Sequence, residues 1–431
     1  MRLIHKIAAN ISVLLALAWP ITAHGQNAAP AAKWKQLAKL TESNGKEQDL
    51  LGSSVAISRD GNTAAVAAAG WCPVQGHDGC GQGAIFVFVK PPTGWADMTE
   101  TAMLTASDGQ PGEYLGESVA ISDDGSTIVA GAPYWPANGK GNGAVYVFTK
   151  PQSGWADGTE TARLTTADLY ATLGQSVAIS GNTIAGGGPG FNKNQGAAYV
   201  FVQPEGGWEN MKQTARLSPS DQGGYVGLSI SIDDGTVVAG SFNAPAYVFV
   251  RPKNGWRNKT ETAELTPSNG KPGYDFGYSV SISGETIAVG SPRYDHNHDK
   301  TGGGVYMYVK PEGGWRSMTQ TALITVHARS TGLGYSVSLD SGGKGLVAAA
   351  PGWPDGLGQG EAALFKQPQS GWRTTSSPSA TMAANDGHYQ DGLGFSVSGS
   401  RVRSFAEPRS PRFAAQRLPA RLARLEARRL V

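Results

Sequence analysis

Hydrophobic and polar positions alternate along most of this chain in runs of four to six residues. Between the runs lie clusters of Gly, Pro, Asp, Asn and Ser. A period of two bounded by turn residues predicts short β-strands joined by hairpins. The stretch from Leu115 shows the pattern most clearly. Its first strand signal is Ser-Val-Ala-Ile-Ser, with Val119 and Ile121 on one face. Thr-Ile-Val-Ala-Gly follows and runs into Ala132-Pro133. The third signal is Ala-Val-Tyr-Val-Phe, with Tyr146 and Phe148 on one face, and the fourth is Thr-Ala-Arg-Leu-Thr. Asp60-Gly61, Asp124-Gly125, Gly181-Asn182 and Asp234-Gly235 separate the first and second signals of their units. Such pairs supply the positive φ that tight hairpins need.

This four-strand unit recurs. Its opening glycine returns at Gly52, Gly116, Gly174, Gly227, Gly277, Gly334 and Gly394, at spacings of 50 to 64 residues. A Gly-Trp element returns with Trp95, Trp155, Trp208, Trp256, Trp315 and Trp372. A single four-stranded sheet cannot bury both faces, whereas sheets stacked around an axis can. The expected fold is therefore all-β, a seven-bladed β-propeller of four-stranded antiparallel blades occupying residues 33–400. A β-solenoid is the alternative, although its repeats are usually shorter. The segment Trp34 to Thr41 matches only the fourth strand of a unit. It is expected to close the ring by completing the last blade.

The recurring Leu/Phe-Gly-x-Ser-Val, Gly-Ala-Pro and Val-Tyr-Val-Phe pattern resembles the FG-GAP repeat family. Phe276-Gly277 and Gly131-Ala132-Pro133 carry it, with looser versions at Leu115-Gly116, Leu173-Gly174, Gly187-Gly188-Pro189 and Gly290-Ser291-Pro292. The resemblance implies a propeller of the integrin α-subunit type, used for adhesion or extracellular binding. Many members of that family hold calcium in an Asp-x-Asp-x-Asp-Gly loop between the first two strands. Here those turns have too few oxygen ligands for an ion that takes six to eight. The calcium role is not carried over, and no cofactor is expected.

The two ends of the chain depart from the repeat. Arg2 and Lys6 precede a short apolar run from Ile7 to Ala18, and small residues follow at Ala23 and Gly25. Residues 1–25 are expected to be a secretory signal peptide, with an uncleaved anchor as the alternative. The run is too short to span a membrane as a helix, so no span is expected after cleavage. At the other end, residues 401–431 carry nine Arg against Glu407 and Glu426 and contain no Gly, Trp or Tyr. Strands two and three of the last unit should stand there, so the last blade is expected to be incomplete. Residues 401–431 are either a frameshifted end or a genuine basic tail. Without them 27 basic residues face 32 acidic ones, a net −5, which does not favour nucleic-acid binding. The expected location is secreted, periplasmic or on the cell surface. Cys72 and Cys80 share one Gly-rich loop. In an exported chain such a pair is expected to form a disulfide, with a zinc site including His77 as the weaker alternative.

In a four-strand blade the loops after strands two and four share one face. They are the variable loops here, and variable loops on a constant scaffold are where binding usually resides. Trp71, Tyr134, Trp135, Phe191, Phe242, Tyr294 and Trp353 follow strand two in successive units, and tyrosines such as Tyr114 and Tyr225 stand in the loops after strand four. These aromatics either contact a glycan or protein ligand, or pack against the adjacent blade. His296 and His298 are the weak metal candidates. No Gly-x-Ser-x-Gly, His-Glu-x-x-His or phosphate-binding loop occurs. The leading expectation is a non-catalytic binding or adhesion module. A secreted propeller enzyme acting on polysaccharide and a purely structural surface protein are the alternatives.

Overall fold

A computed structural model describes residues 13–17, 32–33, 35–46, 48–73, 80–136, 141–268, 275–293, 302–326, 332–351, 359–385, 393–400 and 412–415. The architecture is an all-β propeller. Blade 2 shows the plan. Val119–Ile121 is the inner strand, followed outwards by Thr127–Ala132, Ala144–Thr149 and Ala162–Thr165, each antiparallel to the last. Four of the six blades add a short parallel strand on the outer edge, donated by the next repeat in blades 1, 2 and 4 and by Ala32–Lys33 of the N-terminal segment in blade 6. In blade 2 this is Met211–Lys212, paired with Leu164 and Thr165.

The propeller has six blades, not the expected seven. Their inner strands are Leu51–Ile57, Val119–Ile121, Ser176–Ser180, Ile230–Asp233, Ser279–Ser283 and Ser336–Leu339. The seventh opening glycine leads into one more inner strand, Val397–Ser400. Past it the sequence supplies no second and third strand of the repeat type, so no blade of consecutive strands can form. A composite sheet occupies the gap instead. Arg412–Ala415 pairs with Val397–Ser400, Val13–Leu17 pairs with Arg412–Ala415, and Lys35–Thr41 lies outermost against Val13–Leu17. Val13–Leu17 falls within the apolar run assigned above to a signal.

Lys35–Thr41 holds the outer-strand place by the same bonds that other outer strands use. In each repeat a polar side chain just after the Gly-Trp element reaches back to the preceding blade. Asp157 Oδ1 accepts from the Met103 amide at 2.8 Å, and Asn210 Oδ1 from the Arg163 amide at 2.7 Å. Asp97 Oδ1 accepts from the Lys39 amide at 2.7 Å in the same way.

The blades pack large side chains against small ones. Tyr146, Phe148 and Trp155 of blade 2 share a buried cluster with Ala65, Ala67 and Val87 of blade 1. On the other face Val129, Val145 and Val147 meet Tyr199, Phe201 and Trp208 of blade 3. Burying an aromatic of this size stabilises by roughly 2–3 kcal/mol relative to exposure. The Trp of the Gly-Trp element also fixes a hairpin. The indole N–H groups of Trp95, Trp155 and Trp372 donate to the carbonyls of Gly61, Gly125 and Gly343 at 3.0, 3.2 and 2.9 Å. The two most regular motifs of the repeat are thus partners within one blade.

Near the axis the backbones approach too closely for a side chain. A Cβ on Gly131 would lie 1.8 Å from the Gly174 carbonyl oxygen, and one on Gly187 would lie 2.0 Å from that of Gly227. This contact explains the Gly of the Gly-Ala-Pro motif. Serines then tie each inner strand to the next. Ser54, Ser118, Ser336 and Ser396 accept from the amides of Val119, Val177, Val397 and Val55 at 2.9–3.1 Å. Ser176, Ser229 and Ser279 donate to the carbonyls of Gly227, Gly277 and Gly334 at 2.7–3.0 Å. Seven serines thereby join seven inner strands into a closed ring around six blades.

The Gly131 contact is directly testable. Gly131→Ala should destabilise the protein by about 1–3 kcal/mol, because the intruding atom meets backbone that cannot rotate away. An unchanged chemical-denaturation midpoint would show that the blades are not packed this closely.

Candidate functional site

The loops after strands two and four lie at one end of the propeller. Isolated bridges bind them together, among them Gly83 with Leu115, Gly143 with Leu173 and Gly196 with Val226. The Cys72–Cys80 disulfide is formed in one of these loops, with its Cα atoms 5.7 Å apart. Five of the seven candidate aromatics are described, and each is half-buried. Tyr294, Trp353, His296 and His298 lie outside the described residues. Among those described, no group of three or more His, Cys, Asp or Glu residues is placed to hold a metal ion.

The described aromatics are engaged within the fold. The Arg163 guanidinium lies 4.5 Å over the Trp135 ring and also contacts the Asp108 carboxylate. Asp108 accepts from the Trp135 indole at 3.1 Å and from the Tyr146 hydroxyl at 2.8 Å. Blade 3 repeats the device. Arg216 lies 4.5 Å over Phe191 and pairs with Asp168 at 3.0 Å, while Tyr199 donates to Asp168 at 2.9 Å. Burial, with the adjacent carboxylate, pushes both tyrosine hydroxyls well above their ordinary pKa, so both remain neutral donors. Tyr134 meets Tyr114 edge-on at 5.7 Å, and Phe242 meets Tyr225 at 6.3 Å. Trp71 packs against the cluster between the closing sheet and blade 1. A position filled in the same way from blade to blade serves the packing of loops.

Blade 4 breaks this pattern. Tyr247 donates to Asp221 at 2.9 Å, but Glu264 stands where blades 2 and 3 carry Arg. Burial, then the charges of Asp221 and Glu261, raise the pKa of Glu264.

A second set of side chains lies at the centre of the same face. The residue between the opening Gly and the Ser of each inner strand is Ser53, Glu117, Gln175, Leu228, Tyr278, Tyr335 and Phe395 in turn. The flanking Gly and Ser are constant because the inner ring requires them, yet this position changes in nearly every repeat. All seven side chains are half-buried. Neighbours touch around the axis. Tyr278 and Tyr335 have ring centres 4.8 Å apart, and Tyr335 and Phe395 have theirs 4.5 Å apart. Gln175 Nε2 donates to Glu117 Oε1 at 3.1 Å. Ser53 turns sideways and donates to the Gly116 carbonyl at 3.3 Å. The ring is therefore divided, with an apolar arc on blades 4 to 6 and the closing strand and a polar arc on blades 1 to 3. Sequence reasoning overlooked it. The available signal was a variable residue held between two constant ones.

A model of the FG-GAP repeat matches residues 34–88, 98–148 and 259–308. The chain carries FG-GAP repeats in these three segments. Each matched segment begins on an outer strand and continues through three strands of the following blade, the same phase in which Lys35–Thr41 precedes blade 1. Comparison with the curated proteins finds no match. The turns in which other FG-GAP repeats hold calcium are closed here by their own side chains. Asp60 Oδ1 accepts from Ser58 Oγ at 2.6 Å and from the Asn62 amide at 2.9 Å. Asp124 Oδ1 does the same with Ser122 Oγ at 2.6 Å and the Ser126 amide at 3.0 Å.

One carboxyl on the loop face of this protein has an unusual proton affinity. Glu42 is pushed up to about 8 by burial, by the charges of Asp49 and Glu100, and by a hydrogen bond with Asp49, against a Lys46 amide that lowers it. Asp49 is 2% exposed and accepts from the Lys46 amide at 2.9 Å. Glu113 makes the equivalent bond to the Gln110 amide at 3.0 Å in the next loop, so Asp49 has a loop-fixing role. Between the ordinary value of 4.5 and about 8 the folded chain keeps a proton on Glu42 that the unfolded chain has released. Stability from this group is full below 4.5 and is lost as the pH rises towards 8. Glu42→Gln should abolish that loss. Melting temperatures at pH 5 and pH 8 measure it, and an equal fall in both proteins would exclude the assignment.

Proposed function

We propose that this FG-GAP protein is a non-catalytic extracellular binding module, secreted or displayed at the cell surface. Its ligand, protein or glycan, engages the loop face around the axis. The divided ring at the centre of that face supports this reading most directly. Positions that serve the fold repeat from blade to blade, while these differ and present both aromatic and hydrogen-bonding groups. Half-buried aromatics beside polar groups supply contact energy at low entropic cost. Leu169 and Tyr170, 60% and 58% exposed in the loop before blade 3, add apolar surface at the rim.

The alternative of a propeller enzyme acting on polysaccharide draws support from Glu42, whose raised pKa suits a general acid. The role of Asp49 in fixing its own loop weighs against that reading.

The test compares two substitutions on an array of glycans and extracellular proteins. Tyr335→Ala should abolish whatever binding the wild type shows and leave the melting temperature nearly unchanged. Trp135→Ala should lower the melting temperature by a few degrees and retain the binding, since Trp135 packs beneath Arg163. Binding that survives Tyr335→Ala but is lost in Trp135→Ala would return the site to the loop aromatics. Hydrolysis of an arrayed glycan, lost in Glu42→Gln, would favour the enzyme.

A further inference from the structure

We propose that the axial ring receives one neutral pyranose unit of a carbohydrate. This inference rests on the binding-module reading and names its ligand class.

The apolar arc selects a shape. Tyr278 and Tyr335 are tilted by 49° and Tyr335 and Phe395 by 57°, with ring centres 4.5–4.8 Å apart. Three rings in contact in sequence, with Leu228 next along the ring of positions, form one apolar arc. A cage for a point cation requires separate rings turned inward about one spot. Adjoining rings along an arc suit an extended C–H surface, such as one face of a pyranose.

The polar arc selects the opposite edge of the same ligand. Glu117 and Gln175 stand on blades 2 and 3, across the axis from the aromatic strands, and are already coupled at 3.1 Å. A carboxylate beside a carboxamide presents acceptors and a donor side by side, which matches a pair of adjacent hydroxyls. An amphipathic ring is thus met on its apolar side by one arc and on its hydroxyl side by the other. None of the seven ring positions carries Lys or Arg, which disfavours acidic sugars.

Saturation-transfer NMR on the full chain tests this with the methyl glycosides of glucose, galactose and mannose. Nα-acetyl-lysine methyl ester serves as the cationic probe. At least one glycoside should receive saturation, strongest on the C–H protons of one face. Tyr335→Ala and Gln175→Ala should each weaken binding by about tenfold or more, while Tyr335→Phe keeps it within about threefold. Circular dichroism and melting temperature establish that each variant is folded. The assignment fails if no glycoside is saturated, or if saturation survives both Tyr335→Ala and Gln175→Ala. It also fails if only the lysine ester binds and is lost in Glu117→Gln. A protein ligand on the array that depends on Tyr335, without glycoside saturation, would overturn the carbohydrate assignment and leave the binding module standing.

Discussion

The close approach of neighbouring sheets at the axis is the constraint on which the rest of the structure depends. Gly131 and Gly187 lie against the carbonyls of Gly174 and Gly227 with no room for a methyl group. Once the backbones meet there, the angle between blades is set. Outward from that point the blades are packed by Ala, Val and Ile of the inner and second strands and by Tyr, Phe and Trp of the third strands and Gly-Trp loops. The repeat is a record of this wedge.

The fold was largely legible because the wedge is repeated. Seven opening glycines and six Gly-Trp elements gave the repeat unit, the strand order and the phase of the N-terminal strand. The blade count was overestimated because an opening glycine and an inner strand, Gly394 to Ser400, do not make a blade. Pairing of Arg412–Ala415 and Val13–Leu17 into the closing sheet could not be foreseen. Neither segment carries the repeat pattern, and their meeting depends on ends that only the closed ring brings together.

The site was harder to see for the opposite reason. Trp135 and Phe191 stood out because aromatics recur there, and recurrence is a mark of packing. Their partners, Arg163 and Arg216, lie one strand further along the blade, so the cation–aromatic pairs follow from sheet register, which sequence alone did not supply. Ser53, Glu117, Gln175 and Leu228 did not stand out, since none resembles the others, and the like pair Tyr278 and Tyr335 was hidden among them. Only the closed ring places them side by side. In a protein built from repeats, a position that refuses to repeat is the more informative one.

The closing sheet has a further consequence, for the order in which the molecule folds. The four antiparallel strands of each of blades 1 to 6 are close in sequence and can form progressively from either side. Ser396, which accepts from the Val55 amide, and Ser398, which accepts from the Ile57 amide, each lie 341 residues from their partner. Contacts of that separation carry the largest loop-closure entropy and are rewarded only after the intervening chain is in place. Ring closure is therefore expected to be the late step of folding.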